Sequence, residues 1–164
     1  MTLLAGYEID DAIPLPVRRD RGIGIVGCGG IVNYAHLPAY QASSFRVVAC
    51  HDRDVTAAER TAADHHIPKV AATLDELLAD DEVEIVDIAV TPQAQVVIAE
   101  RAAAAGKHLL CQKPLAPDYP AAARLVAKVG GIVVGVSFVL ELGALGGRAR
   151  LAEAGLPAHS LVTY

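Results

Sequence analysis

Apolar residues come in short blocks set apart by polar, glycine- or proline-bearing turns, and the period inside the blocks alternates between that of a buried strand and that of a helix. "GIGIV" (Gly22–Val26) is apolar on both faces, which predicts a central parallel strand. A helix is expected over about 30–41, a strand over "FRVVACHD" (Phe45–Asp52), and a helix over "DVTAAERTAADHH" (Asp54–His66), where alanine and charge recur at helical spacing. Thr73, with Glu76 three residues on, has the spacing of a capping box and predicts a helix over 73–80. "EIVDIAV" (Glu84–Val90) reads as a strand, Pro92–Gly106 as a helix closed by glycine, and "KHLLCQ" (Lys107–Gln112) as a strand. Tyr119–Val129 reads as a helix and "GGIVVGVSF" (Gly130–Phe138) as a further strand.

Strands alternating with helices through short turns call for parallel pairing, right-handed crossovers and helices on both faces. The expected fold class is α/β: a doubly wound parallel sheet of the Rossmann type over residues 22–138, preceded by a surface arm over 1–21 that shows no sustained period and carries Pro14 and Pro16. Residues 139–164 change character, with a glycine-interrupted helix followed by a β-like run, and are expected to be the start of a truncated second α/β domain.

Composition narrows the function classes. The hydrophobic share is 53%, yet no apolar run nears the ~20 residues a membrane helix needs, and acids and prolines stand where a secretory signal would be basic and then apolar. A cytoplasmic, membrane-free protein is expected. A net charge of -5, no Trp and 4% aromatics leave little to hold a phosphate backbone or stack bases, so no nucleic-acid partner is expected. Cys28, Cys50 and Cys111 are odd in number and lie in or beside apolar segments, which favours buried free thiols over disulfides or metal ligands. His36, His51, His65, His66 and His108 show no metal-ligand spacing and are expected in structural or surface roles, with His36 nearest the glycine turn. No metal is expected.

Candidate chemistry starts at "GIVGCGGIVNYAHLPAY". Gly27, Gly29 and the position of Val32 keep the G-x-G-x-x-G spacing, with Val as the third member and an extra Gly30 inside. The first glycine of that fingerprint makes the turn, the second admits the pyrophosphate, and the third lets the helix pack closely. A strand precedes the turn, a helix follows, and Asp52 ends the next strand about 20 residues on, where an acid accepts from ribose hydroxyls. The backbone of Gly27, Cys28, Gly29, Gly30 and Ile31 is therefore a candidate phosphate cradle at a helix amino end. Arg53 could stack on adenine or pair with a 2′-phosphate that Asp52 would repel, so NAD is favoured over NADP. Thr91 and Pro92 end one strand, and Gln112 and Lys113 end the next, so both loops should face the same crevice as the glycine turn.

Taken in order, "GIVGCGGIVNYAHLPAY", "VVACHDRD", "VEIVDIAVTP" and "AAAAGKHLLCQKPLA" resemble the Gfo/Idh/MocA-type oxidoreductases from about Gly22 to Val136. That resemblance implies a Rossmann domain that holds NAD(P), a larger carboxyl-terminal α/β domain that supplies much of the substrate pocket and the oligomer interface, and hydride transfer between the nicotinamide and a sugar-like or polyol carbon. The family's usual Glu-Lys-Pro loop stands here as Gln112, Lys113 and Pro114, and Lys113 matches the family's substrate and nicotinamide contact. Val96 stands where many members have His, and "SFVLELGALGG" replaces the usual Asn or Gln cluster and Arg. "RARLAEAGLPAHSLVTY" resembles the helix and first strand that open the second domain, and the family's Asp and His acid/base pair has no counterpart. Lys113 alone could take the hydroxyl proton if burial lowered its pKa.

Three readings follow. The chain is the cofactor half of such an oxidoreductase, binding NAD with little or no turnover until a second domain supplies the sugar-like substrate site. Alternatively it is a non-catalytic nucleotide- or partner-binding protein whose last strand, Ser160–Tyr164, pairs with another chain, or else a remnant without function.

Overall fold

The computed structural model describes residues 3–4, 7–8, 16–130, 136–153, 155 and 157–164. They fall into two compact units, Met1–Pro117 and Asp118–Tyr164. In the first, the segment expected as an aperiodic arm carries a short antiparallel ladder of β1 (Leu3–Leu4) and β2 (Tyr7–Glu8), while the rest of 1–15 lies outside the described residues.

The body of this unit is a five-stranded parallel sheet of β3 (Gly22–Val26), β4 (Arg46–His51), β5 (Lys69–Val70), β6 (Ile85–Ile88) and β7 (His108–Cys111), in the order β5-β4-β3-β6-β7. Chain order runs outward from β3 in both directions, so the topology is doubly wound, and the strand order switches between β4 and β6 on either side of β3. All five residues of β3 are buried, as its two-sided apolar run predicts.

Helix α1 (Leu37–Ala42) follows a single wide π turn over Val32–His36. The sequence predicts one plain helix here. The wide turn begins at Val32, the side chain that replaces the fingerprint's third glycine and is fully buried against Ile23, Ile25 and Leu37. A π turn opens the helix by one residue and gives a branched side chain room where the fingerprint has none. Burying each large aliphatic in this layer contributes about 1.5–3 kcal/mol.

Helix α2 (Val55–His65) is capped by Asp54, whose carboxylate accepts from the N–H groups of Thr56 and Ala57. Helix α3 (Leu74–Ala79) is capped by Thr73, which accepts from the Glu76 N–H. The return bond differs from the predicted capping box: Glu76 Oε2 reaches past Thr73 to the Ala72 N–H at 2.8 Å. Helix α4 (Pro92–Ala104) joins β6 to β7 and ends before Gly106, at φ 72°, in the expected place.

The second unit opens with α5 (Tyr119–Lys128), capped by Asp118. Strands β8 (Val136–Glu141) and β9 (Ala158–Thr163) pair in parallel, with α6 (Gly147–Glu153) between them. The strand expected over 130–138 as part of the Rossmann sheet is described from Val136 and, among the described residues, pairs with β9 in a separate sheet, while 131–135 lie outside the described residues.

Candidate functional site

At the carboxyl end of β3 the chain turns sharply. Gly27 adopts φ 98°, and its N–H donates to the His51 carbonyl at 2.9 Å. A Cβ built there would stand 2.4 Å from the Ala89 oxygen, so both conformation and space restrict this position to glycine. A Cβ on Gly29 would meet nothing within 4 Å, and one on Gly30 would meet only Tyr34 at 3.8 Å. The face of the turn at Gly29 is thus open, as an approaching ligand requires. Behind it Gly30 and Ile31 begin the helix, and the first N–H groups of a helix have no intrahelical acceptor.

Two residues fix this turn. Asn33 Nδ2 donates to the Cys28 carbonyl at 2.9 Å and to the Gly29 carbonyl at 3.0 Å, and Thr61 Oγ1 donates to Asn33 Oδ1 at 3.1 Å. With the carbonyls drawn inward by Asn33, and the Gly27 and Cys28 N–H groups spent on His51 and Asp52, the N–H groups of Gly29, Gly30 and Ile31 are the ones left to face a ligand. Sequence reasoning missed Asn33, because only the folded turn brings its amide under those carbonyls.

Asp52 is the second. Its Oδ2 accepts from the Cys28 N–H at 2.7 Å and its Oδ1 from the Asp54 N–H at 2.9 Å. Each carboxylate oxygen keeps a further lone pair, so the acid can anchor the turn and still accept from hydroxyls. Gly27, Gly29, Asp52, Arg53 and Thr91 line one cleft of about 530 Å³, closed on its other side by Leu74, Ile98 and Arg101. Arg53 and Thr91 are exposed at its surface, and Pro92 starts α4 immediately after Thr91. Five of the predicted residues from three separate loops therefore meet. Apolar and guanidinium surface beside a carboxylate suits a flat heterocycle joined to a diol, and the open turn next to it suits a diphosphate.

Cys28 and Cys50 are buried free thiols, and Cys111 is half-buried and free. The Cys28 thiol is pushed well above its ordinary value by its hydrogen bond with Cys50 and by burial, which keeps it protonated beside the cradle.

At the end of β7, Lys113 is exposed, and the Lys113–Pro114 bond is cis. The loop is gripped from beneath by Gln95, fully buried on α4, whose Nε2 donates toward the carbonyls of Gln112 (2.6 Å), Pro114 (3.0 Å) and Leu115 (3.0 Å). Gln112 lines a neighbouring groove with His36, Tyr40 and Asp87. There Asp87 Oδ2 lies 2.7 Å from His36 Nδ1 and accepts from the Tyr40 hydroxyl at 2.9 Å. Burial and the nearby Asp87 carboxylate raise the Tyr40 phenol above its ordinary value. Neither Gln95 nor the His36–Asp87 pair was singled out from sequence. The available signal was Asp87 itself, an acid inside the otherwise apolar run read as a strand over Glu84–Val90.

A family model described as "Oxidoreductase family, NAD-binding Rossmann fold" (GFO_IDH_MocA) matches residues 21–131. The chain is 39% identical over 104 residues to an uncharacterised oxidoreductase of Rhizobium meliloti, covering 63% of this chain and 31% of the relative. Among solved structures it is similar to a 3-ketoreductase of Actinomadura kijaniata in complex with TDP-benzene and NADP (32% identity, TM-score 0.61, covering 66% of this chain and 34% of that one). It is also similar to myo-inositol dehydrogenase of Lactobacillus casei in complex with NAD(H) and myo-inositol (28% identity, TM-score 0.61, covering 65% and 32%). The chain thus spans about a third of the length of the relatives it matches. No helix among the described residues is long and apolar enough to cross a membrane.

Proposed function

Because the chain belongs to the Gfo/Idh/MocA oxidoreductase family, whose NAD-binding Rossmann fold it matches over residues 21–131, we propose that it holds NAD(H) across the glycine turn for hydride exchange with a sugar or polyol. The observation that carries this is the open face of Gly29 above helix N–H groups, beside a cleft that ends at Asp52.

In this reading the turn of Gly27, Cys28, Gly29, Gly30 and Ile31 forms the cradle, with Gly27 and Cys28 shaping it and the N–H groups of Gly29, Gly30 and Ile31 receiving the pyrophosphate, and Asp52 accepts from the adenosine ribose hydroxyls. Arg53 covers the adenine, while Thr91 and Pro92 form the wall beside the dinucleotide. Gln112 and Lys113 stand toward the nicotinamide, with the Lys113 ammonium holding the substrate oxygen. Bound there, the nicotinamide would supply the hydride acceptor or donor. A carboxylate at Asp52 disfavours a 2′-phosphate, so NAD is preferred over NADP.

Calorimetric titration tests this reading. Saturable NAD binding is expected, with NADP at least about tenfold weaker, a gap that narrows in Asp52→Asn, where the amide no longer repels phosphate and its one oxygen can still accept from the Cys28 N–H while the bond to the Asp54 N–H is lost. Equal affinity for the two, unchanged by the substitution, would remove Asp52 from the ribose.

A second reading rests on β9. It pairs only with β8 in a two-stranded sheet of the described residues, and Val162 is exposed. Such an edge can pair with a second strand. Sedimentation that shifts with concentration, and that Val162→Lys abolishes, is the expected result if this edge joins two copies.

A further inference from the structure

We propose that His36 and Asp87 are positioning residues for Lys113, acting through Gln112 along one continuous line of hydrogen bonds. The line starts at a backbone donor whose direction is fixed. The Lys113 N–H donates to Gln112 Oε1 at 2.8 Å, so the other end of that amide is the NH₂ group, which faces His36 Nε2 at 2.7 Å. An NH₂ can only donate, so Nε2 of His36 must offer its lone pair and the ring proton must sit on Nδ1. Nδ1 faces Asp87 Oδ2 at 2.7 Å, which can take that proton as a hydrogen bond and also holds the Tyr40 hydroxyl. Every partner thus has one consistent role, and the chain runs from a buried carboxylate to the main chain of Lys113.

Packing alone does not account for this carboxylate. Asp87 is fully buried between Val86 and Ile88 in the sheet, and its Oδ1 has no partner among the described residues. A buried polar atom left unpaired is destabilising, a cost that an apolar residue at this position would avoid. What Asp87 supplies is a fixed acceptor that sets the His36 tautomer, and through it the orientation of the Gln112 amide. Gln95 holds the same loop by its carbonyls from the other side. Lys113 is thereby placed from both directions although its own side chain is exposed.

The consequence for cofactor binding rests on the reading that Lys113 faces the nicotinamide, and the test separates the two. In the ¹⁵N-labelled chain, long-range ¹H–¹⁵N spectra should show His36 protonated on Nδ1 and bare on Nε2. Gln112→Met should speed solvent exchange of the Lys113 amide at least about tenfold, and Gln112→Glu, whose carboxylate can accept from Lys113 N–H and from a proton on Nε2, should restore protection while placing a proton on Nε2. A proton on Nε2 in the unaltered chain, or a Lys113 amide indifferent to Gln112→Met, overturns the positioning role whether or not a dinucleotide binds. With NADH and ADP-ribose as probes, Gln112→Met should weaken NADH at least about tenfold and leave ADP-ribose within twofold. Equal weakening of both would mark the line as merely structural and overturn the proposal. Failure of the unaltered chain to bind either probe would instead remove the cofactor reading, while the tautomer and exchange results still decide the positioning role.

Discussion

Gly27 and Gly29 stand two residues apart in one turn and answer to different constraints. At Gly27 the backbone lies at φ 98° and a Cβ would overlap the Ala89 carbonyl, so Gly27→Ala should destabilise the fold by about 2–4 kcal/mol in denaturant unfolding. At Gly29 a Cβ meets open space, so Gly29→Ala should leave stability within about 0.5 kcal/mol while weakening dinucleotide binding at least tenfold. Equal loss of stability in both variants would mean that Gly29 also serves the turn and would weaken its assignment to phosphate. Of the residues singled out from the sequence, Gly27, Gly29, Asp52, Arg53 and Thr91 line one cleft, while Cys28 and Gly30 line the groove on the other side of the turn. Those it missed, Asn33 and Gln95, are polar side chains whose partners are carbonyls at least four residues away, and the Asp87 partner of His36 was equally invisible. No local pattern marks such a bond, since the partner is set only once helix and sheet pack. Asp52→Ala would remove both the acceptor for ribose and the anchor of Cys28 N–H, so Asp52→Asn is the cleaner probe.

At the scale of elements, strands with apolar residues on both faces and turns marked by glycine made β3, β4, β6 and β7 legible. β5 is only two residues long, too short for any period, and is held by its neighbours: its Lys69 pairs with Asp80 at 3.0 Å and Glu82 at 2.7 Å, and Arg46 of β4 pairs with Glu82 at 2.6 Å. The Glu82 N–H, then Lys69, holds the Asp80 carboxyl below its ordinary range, and Lys69, then Arg46, does the same for Glu82. Depressed carboxylates stabilise the fold above their unfolded values of about 4 and lose that contribution as pH falls through the folded values. Lys69→Met should therefore move the acid-unfolding midpoint to higher pH, with the difference shrinking in molar salt, because these groups are exposed. An unmoved midpoint would show that the cluster adds nothing to the edge of the sheet. Deeper in the sheet, Gln95→Leu strips donors from three carbonyls of the Lys113 loop and should cost about 1–3 kcal/mol by chemical denaturation. A smaller loss would mean that the loop finds other donors.

Over the whole molecule, the glycine turn, its cleft and the Lys113 loop all lie in the first compact unit, and the second unit contributes a small parallel pair of β8 and β9. Fold and cofactor class could be read from the order of the motifs, since a doubly wound sheet places every βα loop on one edge. The central claim is that the amides following Gly27 form a pyrophosphate cradle, and backbone amide NMR during an NADH titration tests it most directly. The expected result is saturable downfield movement of the Gly29, Gly30 and Ile31 amide protons, in step with a change at Asp52 and Arg53, as the N–H groups gain phosphate acceptors. Binding of NADH that leaves those three amides in place, or no binding at all, would contradict it.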